Sequence, residues 1–302
     1  MSEPHPFTGE RFTPECVREI WYEHWHRYAF AANFAAGARV LDAACGEGYG
    51  AALLARRAAS VLGVDISDAA IEHARKRYGG MPGLSLQTGD VTALDALSDS
   101  SFDLIVSFET LEHVAEQDRM LAGFARLLAP RGLLLVSSPD KRTYSDLAGF
   151  RNEHHVRELY RNELESLLAR HFPACRLLGQ KLMFRSAIWD LTAAPATVET
   201  VTARDGGVAI DPGLGLEPLY FIAVCAASAD ALPQGLEGRL ALFGDAEESV
   251  YAHYNNEVRK NMQAGTLLAQ MQAQLEAVRA ELTPASAAPA GLLARLRRWF
   301  AR

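Results

Sequence analysis

Asp42-Ala43-Ala44-Cys45-Gly46-Glu47-Gly48-Tyr49-Gly50 sets an acid at the end of an apolar run and then glycines at 46, 48 and 50. Glycine permits backbone angles that a Cβ resists, so a ligand can approach the main chain closely. The N–H groups opening a following helix would face that ligand. Further acids close the next apolar runs: Asp65 after Val61-Leu62-Gly63-Val64, Asp90 in Thr88-Gly89-Asp90, and Glu109 after Ser107-Phe108. At the tip of a second parallel strand, Asp65 can accept hydrogen bonds from both hydroxyls of a ribose. Asp90 can meet an adenine amino group, and Phe108 offers an apolar wall. The loop spacing is DxxxGxGxG, which departs from the GxGxxG dinucleotide pattern. His113, His154 and His155 lie beyond the fourth and fifth runs, and imidazole is an apt general base near neutral pH. Asp140 or Glu112 could join a histidine around a divalent metal, but their spacing matches no recognised site, and no metal is expected.

These residues need a scaffold that gathers strand ends. Short, mainly apolar runs at 39–42, 60–65, 84–87, 102–108 and 132–138 read as strands covered on both faces. Helices fit 49–58, 69–78 and 118–128, the last stopped by Pro130-Arg131-Gly132. Further on, 158–170 reads as a helix, and 175–183 and 219–226 as strands. The expectation is an α/β fold: a doubly wound, seven-stranded, mostly parallel sheet with ligands at the strands' carboxyl ends. It carries an N-terminal helix and a C-terminal helical or coiled-coil extension. Residues 186–217 read as an insertion with no assigned role.

From Pro14 a helix is expected to carry Trp21, Trp25 and Tyr28 at helical spacing, either packed on the core or also covering a ligand. Residues 236–283 read as mostly helical. Leu268, Met271, Leu275, Val278 and Leu282 alternate spacings of three and four there, as a coiled-coil seam does. The expected divisions are an arm and lid helix at 1–35, a ligand-binding domain at 36–232, a helical segment at 233–284 and a linker with basic tip at 285–302. Self-association is expected through 254–282. The tip, Leu292-Leu293-Ala294-Arg295-Leu296-Arg297-Arg298-Trp299-Phe300-Ala301-Arg302, has four arginines and no acid. It suits contact with anionic lipid, a docking partner, or a frayed tail.

A net charge of −7 argues against nucleic acid as the partner. Four scattered cysteines without a CxxC pair suggest a reduced compartment rather than a disulfide framework or a zinc site. Residues 1–10 lack a signal peptide's basic and apolar regions, and no run reaches 18 apolar residues. The expected location is cytoplasmic, peripheral at the inner face of the cell membrane if the tip rests on lipid.

Residues 39–138 resemble the class I S-adenosylmethionine-dependent methyltransferases. Asp42 to Gly50 matches the first motif of that family and Val64-Asp65 its second. Thr88-Gly89-Asp90 and Phe108-Glu109-Thr110-Leu111-Glu112-His113-Val114 match the later ones. The resemblance implies S-adenosylmethionine as cofactor, bound by Asp42, Ala44, Gly46 and Gly50, with its methionine part on the backbone around Ala44 and Gly46. It implies ribose on Asp65 beside Ile66, adenine framed by Asp90 and Val91, and a pocket closed by Phe108 and Glu109. Thr8-Gly9-Glu10-Arg11-Phe12 and Glu23-His24-Trp25-His26-Arg27-Tyr28 resemble a narrower group, bacterial methyltransferases associated with surface-polysaccharide synthesis. That likeness implies an N-terminal helix over the cofactor, with Arg27 and Tyr28 on its carboxylate.

The expected function is O-methylation of a sugar hydroxyl in a polysaccharide or glycolipid intermediate, with His113, His154 and His155 as candidate bases. A glycan or glycolipid acceptor and, at the membrane, a glycosyltransferase are the expected partners. One alternative is a small aromatic, quinone-like or lipid acceptor. Another is an inactive, membrane-associated assembly protein.

Overall fold

The computed structural model describes residues 19–183, 192, 198, 200–204, 207–211 and 214–282. The motif at 8–12, the helix start at Pro14 and the tip at 292–302 lie outside these residues. The first of two compact units runs from Met1 to Phe243, the second from Gly244 to Arg302.

In the first unit, α1 (Glu19–Ala31) precedes β1 (Arg39–Ala43), α2 (Tyr49–Ala55), β2 (Ser60–Asp65), α3 (Asp68–Tyr78) and β3 (Leu84–Thr88). After these come β4 (Phe102–Ser107), α4 (Gln117–Leu127), β5 (Leu128–Pro139), α5 (Arg161–Ala169) and β6 (Ala174–Gln180). The strands β7 (Thr200–Arg204), β8 (Gly207–Asp211) and β9 (Tyr220–Ala226) complete the series. The main sheet has the order β3-β2-β1-β4-β5-β9-β6, with β9 antiparallel to β5 and β6. This is the expected seven-stranded, mostly parallel sheet. Within the insertion, β7 and β8 pair as a separate antiparallel hairpin.

Alternation along each central strand divides the core in two. Val40, Leu104, Val106 and Leu135 enter a cluster with Tyr28, Leu54 and Ile71. Their neighbours Leu41, Ile105, Leu134 and Val136 enter a second cluster with Phe124, Leu127 and Leu167. A fully buried aromatic such as Phe124 is worth about 3–5 kcal/mol against alanine. Local signals set the helix ends. The Ser67 hydroxyl accepts from the Ala70 N–H to open α3. Glu163 accepts from the Tyr160 N–H to open α5, which starts three residues after the expected position because Leu159 is spent on a bridge to Asp140.

Two expectations are corrected. Cys175 and Cys225 are directly opposed in the β6–β9 register and form a disulfide. Their separation of 50 residues hid this, since register and not spacing unites them. Cys45 stays free and buried. In the second unit, α6 spans Ser249–Leu282, so the helix expected from 236 begins late. Gly238, at φ +66°, breaks the chain, and Asp245 caps the new start by accepting from the Ser249 N–H and hydroxyl. Along α6, Leu268, Met271, Leu275 and Val278 are exposed. Among the described residues no helix is long and apolar enough to cross a membrane.

Candidate active site

Neighbouring β1 and β4 lead into connections on opposite sides of the sheet, and the crevice at such a switch point is where α/β folds take ligands. A cavity of about 350 Å3 lies there. Ala44, Cys45 and Gly46 line it after β1, Asp65 and Ile66 after β2, and Gly89, Asp90 and Val91 after β3. From β4 come Phe108 to Val114, save for the Leu111 side chain.

The loops after β1 and β4 are strained at the same level. Ala44 sits at φ 65° and Glu109 at φ 51°, in a left-handed region that costs residues with a Cβ about 1–3 kcal/mol. Surrounding bonds hold both loops in place. The Glu109 N–H donates to Ser137 Oγ at 3.0 Å, and the Ser137 hydroxyl donates back to the Glu109 carboxylate at 2.6 Å. On the β1 side, Cys45 N–H donates to Val64 O and Gly46 N–H to Asp65 Oδ2 at 2.8 Å. The other Asp65 oxygen accepts from Ser67 N–H. The Gly46 amide therefore orients Asp65, and Asp65 in turn fixes the glycine loop.

Helix α1 covers the cavity along one face, since Ile20, His24 and Tyr28 recur every four residues and all line it. Tyr28 donates to Asp42 Oδ1 at 3.0 Å and packs edge-on against Tyr49 and Phe108. Burial pushes the Asp42 carboxyl up to about 7, against the Tyr28 hydrogen bond, and the Asp65 charge adds to the rise. Burial, with the Arg27 charge beside it, holds His24 well below the usual imidazole range. Arg27 is 1% exposed. Its Nε donates to Gln180 at 2.7 Å, Nη2 faces Glu109 at 3.6 Å, and the guanidinium lies over the Tyr220 ring. Arg27, Asp42 and Gly50 do not line the cavity. A Cβ on Gly50 would come within 2.1 Å of the Tyr28 ring, so this glycine lets α1 approach α2.

A second group of bonds folds residues 152–157 onto the turn after β4. Val156 and Arg157 N–H donate to Glu112 O, while the Gln117 amide donates to Leu111 O and Arg157 O. His113 and His155 consequently meet with rings 4.9 Å apart and perpendicular, and both line the cavity. His113 Nδ1 donates to the His154 carbonyl at 3.0 Å. His155 Nδ1 lies 2.6 Å from Glu158 Oε1, and Ser145 donates to the other Glu158 oxygen. The His154 side chain lies outside the cavity, facing Glu153. Glu112 is 1% exposed; burial first, and Glu109 second, push its carboxyl well above the ordinary range. Tyr144 and Tyr220 complete this side, and burial with nearby Glu109 raises both phenols.

Residues 41–136 match the family model described as a methyltransferase domain. The match spans β1 to β4 and most of β5, the parallel part of the sheet. A probable S-adenosylmethionine-dependent methyltransferase of Mycolicibacterium smegmatis is 39% identical over 166 residues, covering 54% of this chain and 63% of the relative. A probable S-adenosylmethionine-dependent methyltransferase of Mycobacterium tuberculosis is 38% identical over 164 residues, covering 53% and 58%. A ubiquinone biosynthesis O-methyltransferase of Chelativorans sp. is 37% identical over 124 residues, covering 40% and 48%. The chain thus spans less than two thirds of the length of each relative.

The methyltransferase family implies S-adenosylmethionine as cofactor, and the β1–β3 side of the cavity fits it. A Cβ on Gly46 would meet nothing within 4 Å, so the loop leaves open space beside the backbone. Asp65 presents a nearly buried carboxylate to the cavity, suited to ribose hydroxyls. Ile66, 70% exposed at a strand end, and Val91 supply apolar walls for a base. Spacing in the sequence missed Ser137, Gln117, Tyr144, Asn152, Glu158 and Tyr220. Ser137 had a signal, a serine at the carboxyl end of an apolar strand. Gln117, Tyr144, Asn152 and Glu158 depend on how 140–160 folds back, and Tyr220 on the β5–β9 register.

Proposed function

We infer that the protein transfers a methyl group from S-adenosylmethionine to a hydroxyl oxygen, and that the hydroxyl belongs to a sugar of a polysaccharide or glycolipid intermediate. The observation that carries this is the division of the cavity. Its β1–β3 side suits a nucleoside, while its β4, β5 and β9 side is lined by Glu112, His113, Tyr144, Asn152, His155 and Tyr220. When bound, S-adenosylmethionine supplies an electrophilic methyl group on its sulfonium. Holding an acceptor in line with that group contributes much of the rate in such transfers. Asp65 and the strained Ala44 turn fix the donor side, and Glu109, pinned by Ser137, closes the boundary between the two sides. The hydroxyl proton must leave on the acceptor side, where the imidazoles stand. Hydrogen-bonding side chains with two tyrosine rings support a sugar there, because a sugar offers hydroxyls and ring faces together.

The similarity to a ubiquinone biosynthesis O-methyltransferase favours a second acceptor class, a quinone-like phenol. Incubating the full chain with methyl-labelled S-adenosylmethionine, envelope glycans and extracted lipids separates the two. Label in an acid-released methylated sugar supports the glycan. Label confined to small lipids rejects it in favour of the phenol.

A further inference from the structure

We propose that Glu112, His113 and His155 bind a divalent transition-metal ion on the acceptor side of the cavity. One ligand atom from each residue lies within 4.8 Å of the other two, the one group of this kind among the described residues. Atoms so spaced reach an ion at about 2.0–2.2 Å with shifts of roughly 0.7 Å or less. In sequence His155 stands far from the Glu112-His113 pair, which is why spacing gave no metal signature.

Three independent features prepare these side chains as ligands. The first is the second bond of each imidazole. A carbonyl only accepts, so His113 Nδ1 carries the proton toward His154 O, and the neutral ring bears its lone pair on Nε2. At His155, Nδ1 faces the Glu158 carboxylate. Asn152 Oδ1 accepts from His154 N–H, so its amide nitrogen is the atom that faces His155 Nε2 at 3.0 Å. That fixes the lone pair on Nε2 here too, and an ion would take the place of the Asn152 amide. Metal-bound histidines characteristically donate their other N–H to a carbonyl or carboxylate in this way. The second feature is Glu112, whose Oε2 is buried with no hydrogen-bond partner. A buried carboxyl oxygen without a partner is costly in either protonation state, and a cation that displaces the proton would satisfy it. The third is the rigid backbone: Val156 and Arg157 both donate to the Glu112 carbonyl, tying the two ligand-bearing segments together.

Two imidazoles and one carboxylate form a donor set for zinc and its first-row neighbours, with coordination positions left for water or substrate. The use of the ion in catalysis rests on the methyl-transfer function inferred above, whereas its binding does not. A hydroxyl that joins the ion becomes more acidic. Its proton then passes to solvent, because the ion holds the imidazole lone pairs. The oxygen bonds to the sulfonium methyl carbon and the carbon–sulfur bond breaks with its electron pair left on sulfur. The products are a methyl ether and S-adenosylhomocysteine.

Cobalt(II) titrated into the untagged full chain, with S-adenosylhomocysteine present, tests the assignment by its visible absorption. One equivalent should develop the bands of nitrogen and oxygen ligation, and zinc should abolish them. Glu112→Gln, His113→Ala and His155→Ala should each weaken binding at least tenfold, while His171→Gln, at a histidine paired with Asp118 outside the cavity, should leave it unchanged. Glu158→Gln, which keeps all three ligands, should weaken it about 10–100-fold. Near-ultraviolet circular dichroism of each variant confirms that it folds. Absence of the bands in folded protein, or bands unaffected by the three ligand variants, overturns the proposal. Ion binding with no methyl transfer to any acceptor would uphold the site and reject the proposed function instead.

Discussion

His155 Nδ1 lies 2.6 Å from Glu158 Oε1, and both side chains are less than a tenth exposed. Ser145 holds the second Glu158 oxygen at 2.5 Å. The carboxylate is thus fixed on both sides, and it fixes the imidazole's orientation and tautomer in turn. His155 lines the cavity with Glu112, His113 and Tyr144 from beyond β4 and β5, and the loops after β1–β3 line its other side, so donor binding and acceptor chemistry should separate on mutation.

Glu158→Gln is expected to lower kcat about 10–100-fold with little change in the KM for S-adenosylmethionine. Steady-state kinetics with a labelled methyl donor measures both. An equal loss in donor KM, with kcat intact, would mean that Glu158 serves the fold of 140–160 and not the acceptor side.

Gly50→Ala should destabilise the chain by about 1–3 kcal/mol, since the new Cβ would overlap the Tyr28 ring. The ring must move, taking its hydroxyl from Asp42. Urea unfolding followed by tryptophan fluorescence reads the loss directly. A change below about 0.5 kcal/mol, the range of ordinary surface substitutions, would show that α1 is not packed on α2 through this contact.

Asp42 makes stability depend on pH. Its carboxyl is raised from 3.8 to about 7, chiefly by burial, so between those values the folded chain binds protons that the unfolded chain releases. The contribution is fully present below about pH 4 and is lost as pH rises through 7, by an amount on the order of a few kcal/mol. Asp42→Asn removes the dependence while keeping an oxygen for the Tyr28 hydroxyl. The variant should gain on the parent as pH rises from 4 to 8 in paired urea titrations. A constant difference across that range would contradict the shift.

The β1–β3 half of the candidate site was legible because its acids follow the strands. Asp65, Asp90 and Glu109 close successive apolar runs, and the parallel order puts such ends together. The role of Gly50 was less plain, since a glycine required by a neighbouring ring looks in sequence like one required by a ligand. For Arg27, the sequence could not show that Gln180, Glu109 and Tyr220 surround it. The half of the cavity facing β4, β5 and β9 was hardest to foresee. His155 reaches His113 only because Glu112 O accepts two amides from a segment some forty residues later, a long-range bond without periodicity. The Cys175–Cys225 bridge was hidden for the same reason.

Calorimetric titration of the full chain with S-adenosylhomocysteine tests the central claim most directly. One saturable site is expected, weakened about 10–100-fold in Asp65→Ala by loss of hydrogen bonds to a charged acceptor worth about 1.5–3 kcal/mol. Heat from NAD but none from S-adenosylhomocysteine, or identical titrations of parent and variant, would contradict it.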